Sequence, residues 1–430
     1  MKYLMNYGRK GLNIVTPDHW NVTAIHKRTM PVLPDPDAEI AKALNQPVGS
    51  KTLFEEAKNC ASACILICDV TRPVPNGLIL QPVIKELLAA GLKADHIKVI
   101  VATGLHRPNE GDELRHVLGD DWVPNTVAVS NHFARNDEDH VNLGSTSKGT
   151  PVKLDRRFVE ADLRLVVGLV EPHFMAGYSG GRKVIVPGVA HHDTITRLHT
   201  ATFLESPYAA NCVLDKNPLH EEQLEIVDMI GGALAVNVVI DEFRRPCFLN
   251  FGEITSSHMA AVNFMSEFAV INFNRRFSTV ITSSAGYPLD KTYYQTVKGM
   301  VGGMEILEPG GDLFIVSECS EGMGSPEYVE AQKRLCTLGP DKFLAELWPK
   351  KMAAIDEWQT EMQLKPMRIG SITLYTQGLS EHDLQLTGIE TLVDFDLFQE
   401  AIRKSVERST DKCVAIIPEG PYVAPFYVKG

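Results

Sequence analysis

Residues 168–188, GLVEPHFMAGYSGGRKVIVPG, decide how this chain is read, because they join two apolar runs through a polar, glycine-rich turn. The first run, Leu165 to Val170, is almost wholly valine and leucine. That is the pattern of a strand buried on both faces, as in the parallel sheet of an α/β protein. It ends at Glu171-Pro172, so His173 stands just past a strand's C-terminal end. Gly177, Ser179, Gly180 and Gly181 then let the backbone turn sharply and approach a bound group, and Lys183 emerges from that turn beside Arg182. A phosphate or carboxylate would fit there.

Two segments upstream have the same form. Cys64 to Cys68 (CILIC) is a buried strand run followed by Asp69, Arg72 and the turn residues Pro75, Asn76 and Gly77. Ile97 to Thr103 is the next run and leads into Gly104-Leu105-His106-Arg107-Pro108. Loops at strand C-termini are the ligand positions of open α/β sheets, and the fork of Arg72 suits a carboxylate or phosphate. Three strand ends carrying Asp69 and Arg72, His106, and His173 point to one convergent site.

Farther out, Leu78 to Leu92 reads as an amphipathic helix, Ala233 to Ile240 as a strand and His258 to Glu267 as a helix. A second strand series follows at Ser278 to Thr282, Asp312 to Ser317, Ser371 to Tyr375 and Cys413 to Ile417. Ser325 to Leu364 reads as one long helical region that contains Trp358. The predicted fold is α/β with two domains, 1–272 and 273–430, each an open, mostly parallel sheet flanked by helices. Site residues up to His199 fall in the first domain and later ones in the second, which predicts an active site in the interdomain cleft.

Several classes are excluded. The glycines have the wrong spacing for a dinucleotide fingerprint, and Lys183 precedes Val184 where a Walker loop needs a hydroxyl. A net charge of -12 and the absence of a basic run argue against nucleic acid. No apolar span is long enough for a signal peptide or a membrane helix, which predicts a cytoplasmic protein with no membrane partner. The eight cysteines contain no C-x-x-C and read as thiols. His191, His192 and His199 cluster around a helix expected to start at Asp193 or Thr194, but their spacing alone assigns no metal.

DVTRPVPN, GLHRP, EPHFMAGYSGGRKVIVPG, RLHTATF and the later YQTVKGM at Tyr294 to Met300 together resemble the nickel-pincer-dependent lactate racemase family, over essentially the whole chain. The resemblance implies that Lys183 carries the cofactor covalently, with Gly180, Gly181 and Arg182 around it. That cofactor would be a nickel-pincer nucleotide, pyridinium-3-thioamide-5-thiocarboxylic acid mononucleotide, with nickel held by two sulfurs and a ring carbon. His199 matches the remaining nickel ligand, and an imidazole beside soft sulfur donors suits nickel(II). His106 and His173 match paired general acid/base residues, while Arg72, Tyr294, Gln295 and Lys298 match substrate-contacting positions with Asp69 as an orienting partner. Trp358 is implied to line the pocket for the substrate's side chain, or else to be a packing aromatic. The implied activity is racemisation or epimerisation of a small 2-hydroxy acid, with cofactor-making enzymes as transient partners. A pyridoxal-phosphate or other lysine-dependent isomerase, and a nickel- or cofactor-binding protein without turnover, stay open as alternatives; the first leaves His199 without a role, and the second has no use for two histidines.

Overall fold

The computed structural model describes residues 1–429, which form two compact units interleaved in sequence. The first comprises Thr29–Leu198 and Tyr208–Glu267. Its six-stranded sheet runs, from one edge to the other, Pro246–Glu253, Leu234–Ile240, Leu163–Leu169, Ala63–Cys68, Ile97–Ala102 and Ala128–Asn131. All neighbours are parallel except the pair at the Pro246–Glu253 edge. The central strands are buried nearly throughout, with Ile65, Val99 and Leu165 side by side in register, which is why they read as unbroken apolar runs. The helix Asn76–Ala89 lays Ile79, Leu80, Val83, Ile84 and Leu87 into the core against that sheet. At about 25 cal/mol per Å² of apolar area, such a fully buried face outweighs the weak turn that Pro82 leaves inside the helix.

The second unit comprises Met1–Arg28, His199–Pro207 and the chain from Phe268 onward. Its six strands are all parallel, in the order Glu390–Leu392, Ser371–Tyr375, Leu307–Val316, Phe277–Ser283, Cys413–Ile417 and Asn21–Ala24. The backbone thus passes between units four times, and the crossing at residues 267 and 268 is the one near the boundary expected at 272. The N-terminal segment belongs to the second unit because Asn21–Ala24 completes its sheet beside Cys413–Ile417. His199 belongs there too, contrary to its expected place with the residues before it. Ala201 just beyond it joins Leu335, Phe343, Leu347 and Leu364 in one core, and Glu205 accepts two bonds from Arg368 at 2.7 and 3.1 Å.

Two helical expectations are corrected. Ser325 to Leu364 is not one helix but three, Pro326–Leu338, Pro340–Leu347 and Glu357–Met367. Gly339 at φ 78 followed by Pro340 ends the first, and Asp356 at φ 62 starts the last. The helix expected from Asp193 or Thr194 begins at His192 and stops at Leu198, so His199 lies in the link to the next short helix, Ala201–Leu204.

Candidate active site

In the first unit the expected strand-end residues come together. Asp69 follows Ala63–Cys68 and is buried, and its Oδ2 lies 2.6 Å from His106 Nδ1. Its other oxygen accepts the Thr71 hydroxyl at 2.5 Å and the Thr71 N–H at 3.2 Å. Burial pushes the Asp69 carboxyl up, but the bonds and charges of His106, Thr71 and Arg72 outweigh it and hold it below the usual carboxylate range. An ionised carboxylate only accepts, so His106 must donate from Nδ1 and present Nε2. The ring is largely exposed beyond Ile97–Ala102. Arg72 forms an ion pair with Glu171, just past the end of the neighbouring strand Leu163–Leu169. Glu171 stood unassigned inside the quoted stretch; its place between a buried strand and Pro172-His173 was the available signal.

His173 sits in a tight hairpin in which Pro172–His173 pairs with Gly177–Tyr178. Its Nδ1 accepts the N–H groups of Met175 at 3.3 Å and Ala176 at 3.1 Å. The hairpin is tied to the strand before it, since Ser179 donates its hydroxyl to the Leu169 carbonyl at 2.7 Å and its N–H to the Glu171 carbonyl at 3.0 Å. The next two residues must be glycine. At Gly180, φ 78, a Cβ would lie 2.7 Å from Val170 Cγ2, and at Gly181, φ 47, it would meet the His258 ring at 2.8 Å. Lys183 follows in the short helix Arg182–Ile185 and is half-buried.

Arg182 points inward, where it bonds the Ala176 carbonyl at 2.9 Å and contacts His258 Nε2 at 3.2 Å. No carboxylate among the described residues pairs with it, its Nε has no partner, and burial pulls its guanidinium down to about 9. Burial, then the Arg182 charge, lowers His220 to about 3. Ligand atoms of His191, His192 and Asp193 lie within 4.8 Å of one another, but Lys153 Nζ, 2.6 Å from Asp193 Oδ2, already supplies a cation there.

In the second unit Gln295 and Lys298 stand three apart on the helix Tyr293–Met304, hence on one face. Gln295 Oε1 is buried without a hydrogen-bond partner. The Tyr294 hydroxyl accepts the Trp358 indole N–H at 3.2 Å, and the Trp358 ring lies 4.5 Å from the His199 ring. Burial raises the Tyr294 hydroxyl above its ordinary range, with Asp356 adding to the shift. Tyr294, Trp358 and His199 are therefore in contact, and Trp358 is buried. All eight cysteines are free, and among the described residues no helix is long and apolar enough to cross a membrane.

Sequence profiles of the lactate racemase N-terminal and C-terminal domains match residues 7–211 and 274–424. The lactate racemase of Thermoanaerobacterium thermosaccharolyticum is 34% identical over 325 residues, covering 73% of this chain and 76% of that protein. The lactate racemase of Lactiplantibacillus plantarum is 29% identical over 384 residues, 89% of each. The structure of the Thermoanaerobacterium thermosaccharolyticum lactate racemase apoprotein superposes with a TM-score of 0.91 at 28% identity, covering 99% of this chain and 100% of that one. A Thermotoga maritima protein shares the fold, with a TM-score of 0.69 at 18% identity over 94% of this chain and 100% of its own. With both domains matched in order and a relative above 30% identity over most of its length, this chain belongs to the lactate racemase family and is an isomerase of the racemase class.

Proposed function

We propose that this chain racemises or epimerises a small 2-hydroxy acid, lactate or a close relative, with a nickel-pincer nucleotide held on Lys183 and His199 as nickel ligand. The observation that carries the reading is the Asp69–His106 pair beside the hairpin of His173, on loops that leave neighbouring parallel strands. The residues of the turn fit the group: Lys183 offers an amine for a thioamide link, and the buried, uncompensated Arg182 adds positive charge behind a turn that would receive a phosphate-bearing nucleotide. Imidazole from His199 is a suitable donor for nickel. When bound, the group supplies reversible hydride acceptance, which lets C2 pass through a planar 2-keto acid.

The chain's own work is on protons and charge. With Nδ1–H anchored on Asp69, His106 Nε2 takes the proton of the substrate hydroxyl, and the resulting imidazolium is stabilised by the carboxylate. His173 serves the same oxygen from a second direction. An imidazole suits both halves of a reversible reaction because its ordinary pKa is about 6.5. Arg72, already paired with Glu171, is the first unit's group for a substrate carboxylate, while Lys298 and Gln295, on one face of Tyr293–Met304, are the second unit's groups for substrate oxygens. Trp358 and Tyr294 shape the space for the group on C2. The same reading places the protein in the cytoplasm, with transient contact to cofactor-making enzymes and no nucleic-acid or membrane partner.

The decisive experiment is intact-mass and nickel analysis of protein produced with the cofactor-making enzymes, followed by a panel of chiral 2-hydroxy acids. An adduct mapped to Lys183, about one nickel per chain and racemisation of one panel member are expected. An unmodified chain despite proven cofactor supply would move the assignment to a lysine-dependent isomerase of another kind.

A further inference from the structure

Resting on the racemase reading, we infer that Asn217 is a positioning residue which, through the Met175–Ala176 peptide, holds His173 in the Nε2–H tautomer, opposite to that of His106. Backbone N–H groups only donate. With the Met175 and Ala176 N–H groups aimed at it, at 3.3 and 3.1 Å, His173 Nδ1 must carry a lone pair, so the neutral ring bears its proton on Nε2. Turning the ring over would set both N–H groups against a C–H. His106 is the reverse case, since the Asp69 carboxylate requires a proton on Nδ1 and leaves Nε2 bare.

The clamp on His173 is built from buried parts. Asn217 is wholly buried and donates its side-chain N–H to the Met175 carbonyl at 2.9 Å, the other end of the peptide group whose N–H reaches His173. Donation at that carbonyl polarises the peptide and strengthens the bond its N–H makes. Asn217 is itself fixed, because its side-chain oxygen caps the helix Pro218–Met229 by accepting the Leu219 N–H at 3.0 Å and the His220 N–H at 3.3 Å. Arg182 pins the following carbonyl, that of Ala176, at 2.9 Å.

The two histidines therefore enter the reaction differently. In these tautomers His106 Nε2 carries a lone pair that can take a proton, whereas His173 Nε2 carries a proton and can only donate. For His173 to act as base at Nε2, its Nδ1 must first let go of the two N–H groups and take a proton from water while Nε2 gives its proton to water, so one enantiomer is processed from the resting arrangement and the other after a rearrangement of residues 173–176. Proton count is conserved, since each tautomer of the neutral ring carries one proton.

The test is 15N NMR of histidine-labelled, cofactor-free full chain at a pH where both rings are neutral, using His106→Gln and His173→Gln for assignment. The expected spectrum has a bare Nδ1 and protonated Nε2 for His173 and the reverse for His106. Asn217→Asp keeps an oxygen for the helix cap and loses the donor to Met175; it should shift His173 toward the Nδ1–H form while leaving His106 unmoved. In cofactor-loaded protein the same variant should lower kcat about tenfold with KM little changed, unequally for the two enantiomers. An Nδ1–H tautomer in the unmutated chain overturns the inference, and so does a folded Asn217→Asp with an unchanged His173 signal. Should that variant not fold, the unmutated spectrum decides alone. If the tautomer is wrong yet His173→Gln loses turnover, only the clamp falls; if His106→Gln and His173→Gln both racemise at the parent rate, the racemase mechanism itself falls.

Discussion

The two units supply side chains to the proposed chemistry in different ways. In the first, Asp69, Arg72, His106 and Glu171 stand at or near the C-terminal ends of parallel strands, on loops with one polar group bonded to the next. In the second, the ends of the sheet carry residues such as Ser283, Ser317 and Thr376, and the expected contact residues come instead from the faces of the helices Tyr293–Met304 and Glu357–Met367. Strand-end loops can bring charged groups to one point because a rigid sheet fixes their roots. Helix faces offer broad side chains at fixed spacing, better suited to shaping a pocket than to moving protons. The division predicts that losses in the first unit act on turnover and losses on these helix faces of the second act on substrate choice, with His199, in the link before Ala201–Leu204, standing apart as the proposed nickel ligand.

The largest effect should come from Lys183→Ala, which is expected to abolish both the covalent adduct and activity; intact mass of the loaded protein checks it, and a heavier adduct on the variant would disprove the attachment. Next are His106→Gln and His173→Gln, each expected to keep the adduct while turnover drops about a hundredfold or more. Parent-like rates in either would remove that residue and blur the contrast between the units. On the other side, Trp358→Ala should leave the adduct intact and move preference toward 2-hydroxy acids with larger groups on C2 by about tenfold, measured as a ratio of kcat/KM values. An equal loss on small and large substrates would make Trp358 a packing residue, as its contacts with Tyr294 and His199 also allow.

The same contrast explains what was legible in the sequence. Strands such as Ala63–Cys68 and Leu163–Leu169 are continuous apolar runs because both faces are buried, and the polar residues that follow them are conspicuous for that reason. Asn21–Ala24 gave no such signal, being a short edge strand with exposed ends, so the return of the N-terminus to the second sheet was missed. His199 was placed with its sequence neighbours, whereas the packing of Ala201 and the Glu205–Arg368 pair draws it to a core formed more than a hundred residues later. Arg182 could be read as a loop cation beside Lys183, but its inward turn onto Ala176 depends on where His258 and the hairpin lie. Asn217 before Pro218 announces a helix start, and nothing local announces that its other side-chain atom reaches Met175.

The smallest expected effect lies in the helix that carries Trp358. Glu361, one turn farther on, is almost wholly buried with Oε1 unpartnered, and burial followed by the charge of Glu205 pushes its carboxyl up to about 8. The unfolded chain releases that proton near pH 4.5, whereas the folded chain keeps it until about 8. Between those values the unfolded state binds fewer protons, so folding must hold a proton against a rising pH and stability falls across the window. Glu361→Gln keeps the size and hydrogen-bonding capacity and has no proton to lose. It should match the parent near pH 5 and gain about 1–3 kcal/mol by pH 8, discounted for the nearby Lys365 and Arg368, which corresponds to a rise of a few degrees in Tm. Thermal denaturation at both pH values, with adduct and turnover followed in parallel, separates the two roles a buried acid can have here. A Tm difference that grows with pH while turnover holds marks Glu361 as a cost of enclosing the helix that carries Trp358. A difference that stays constant would mean the carboxyl is ionised in the folded protein, with Lys365 and Arg368 offsetting its burial.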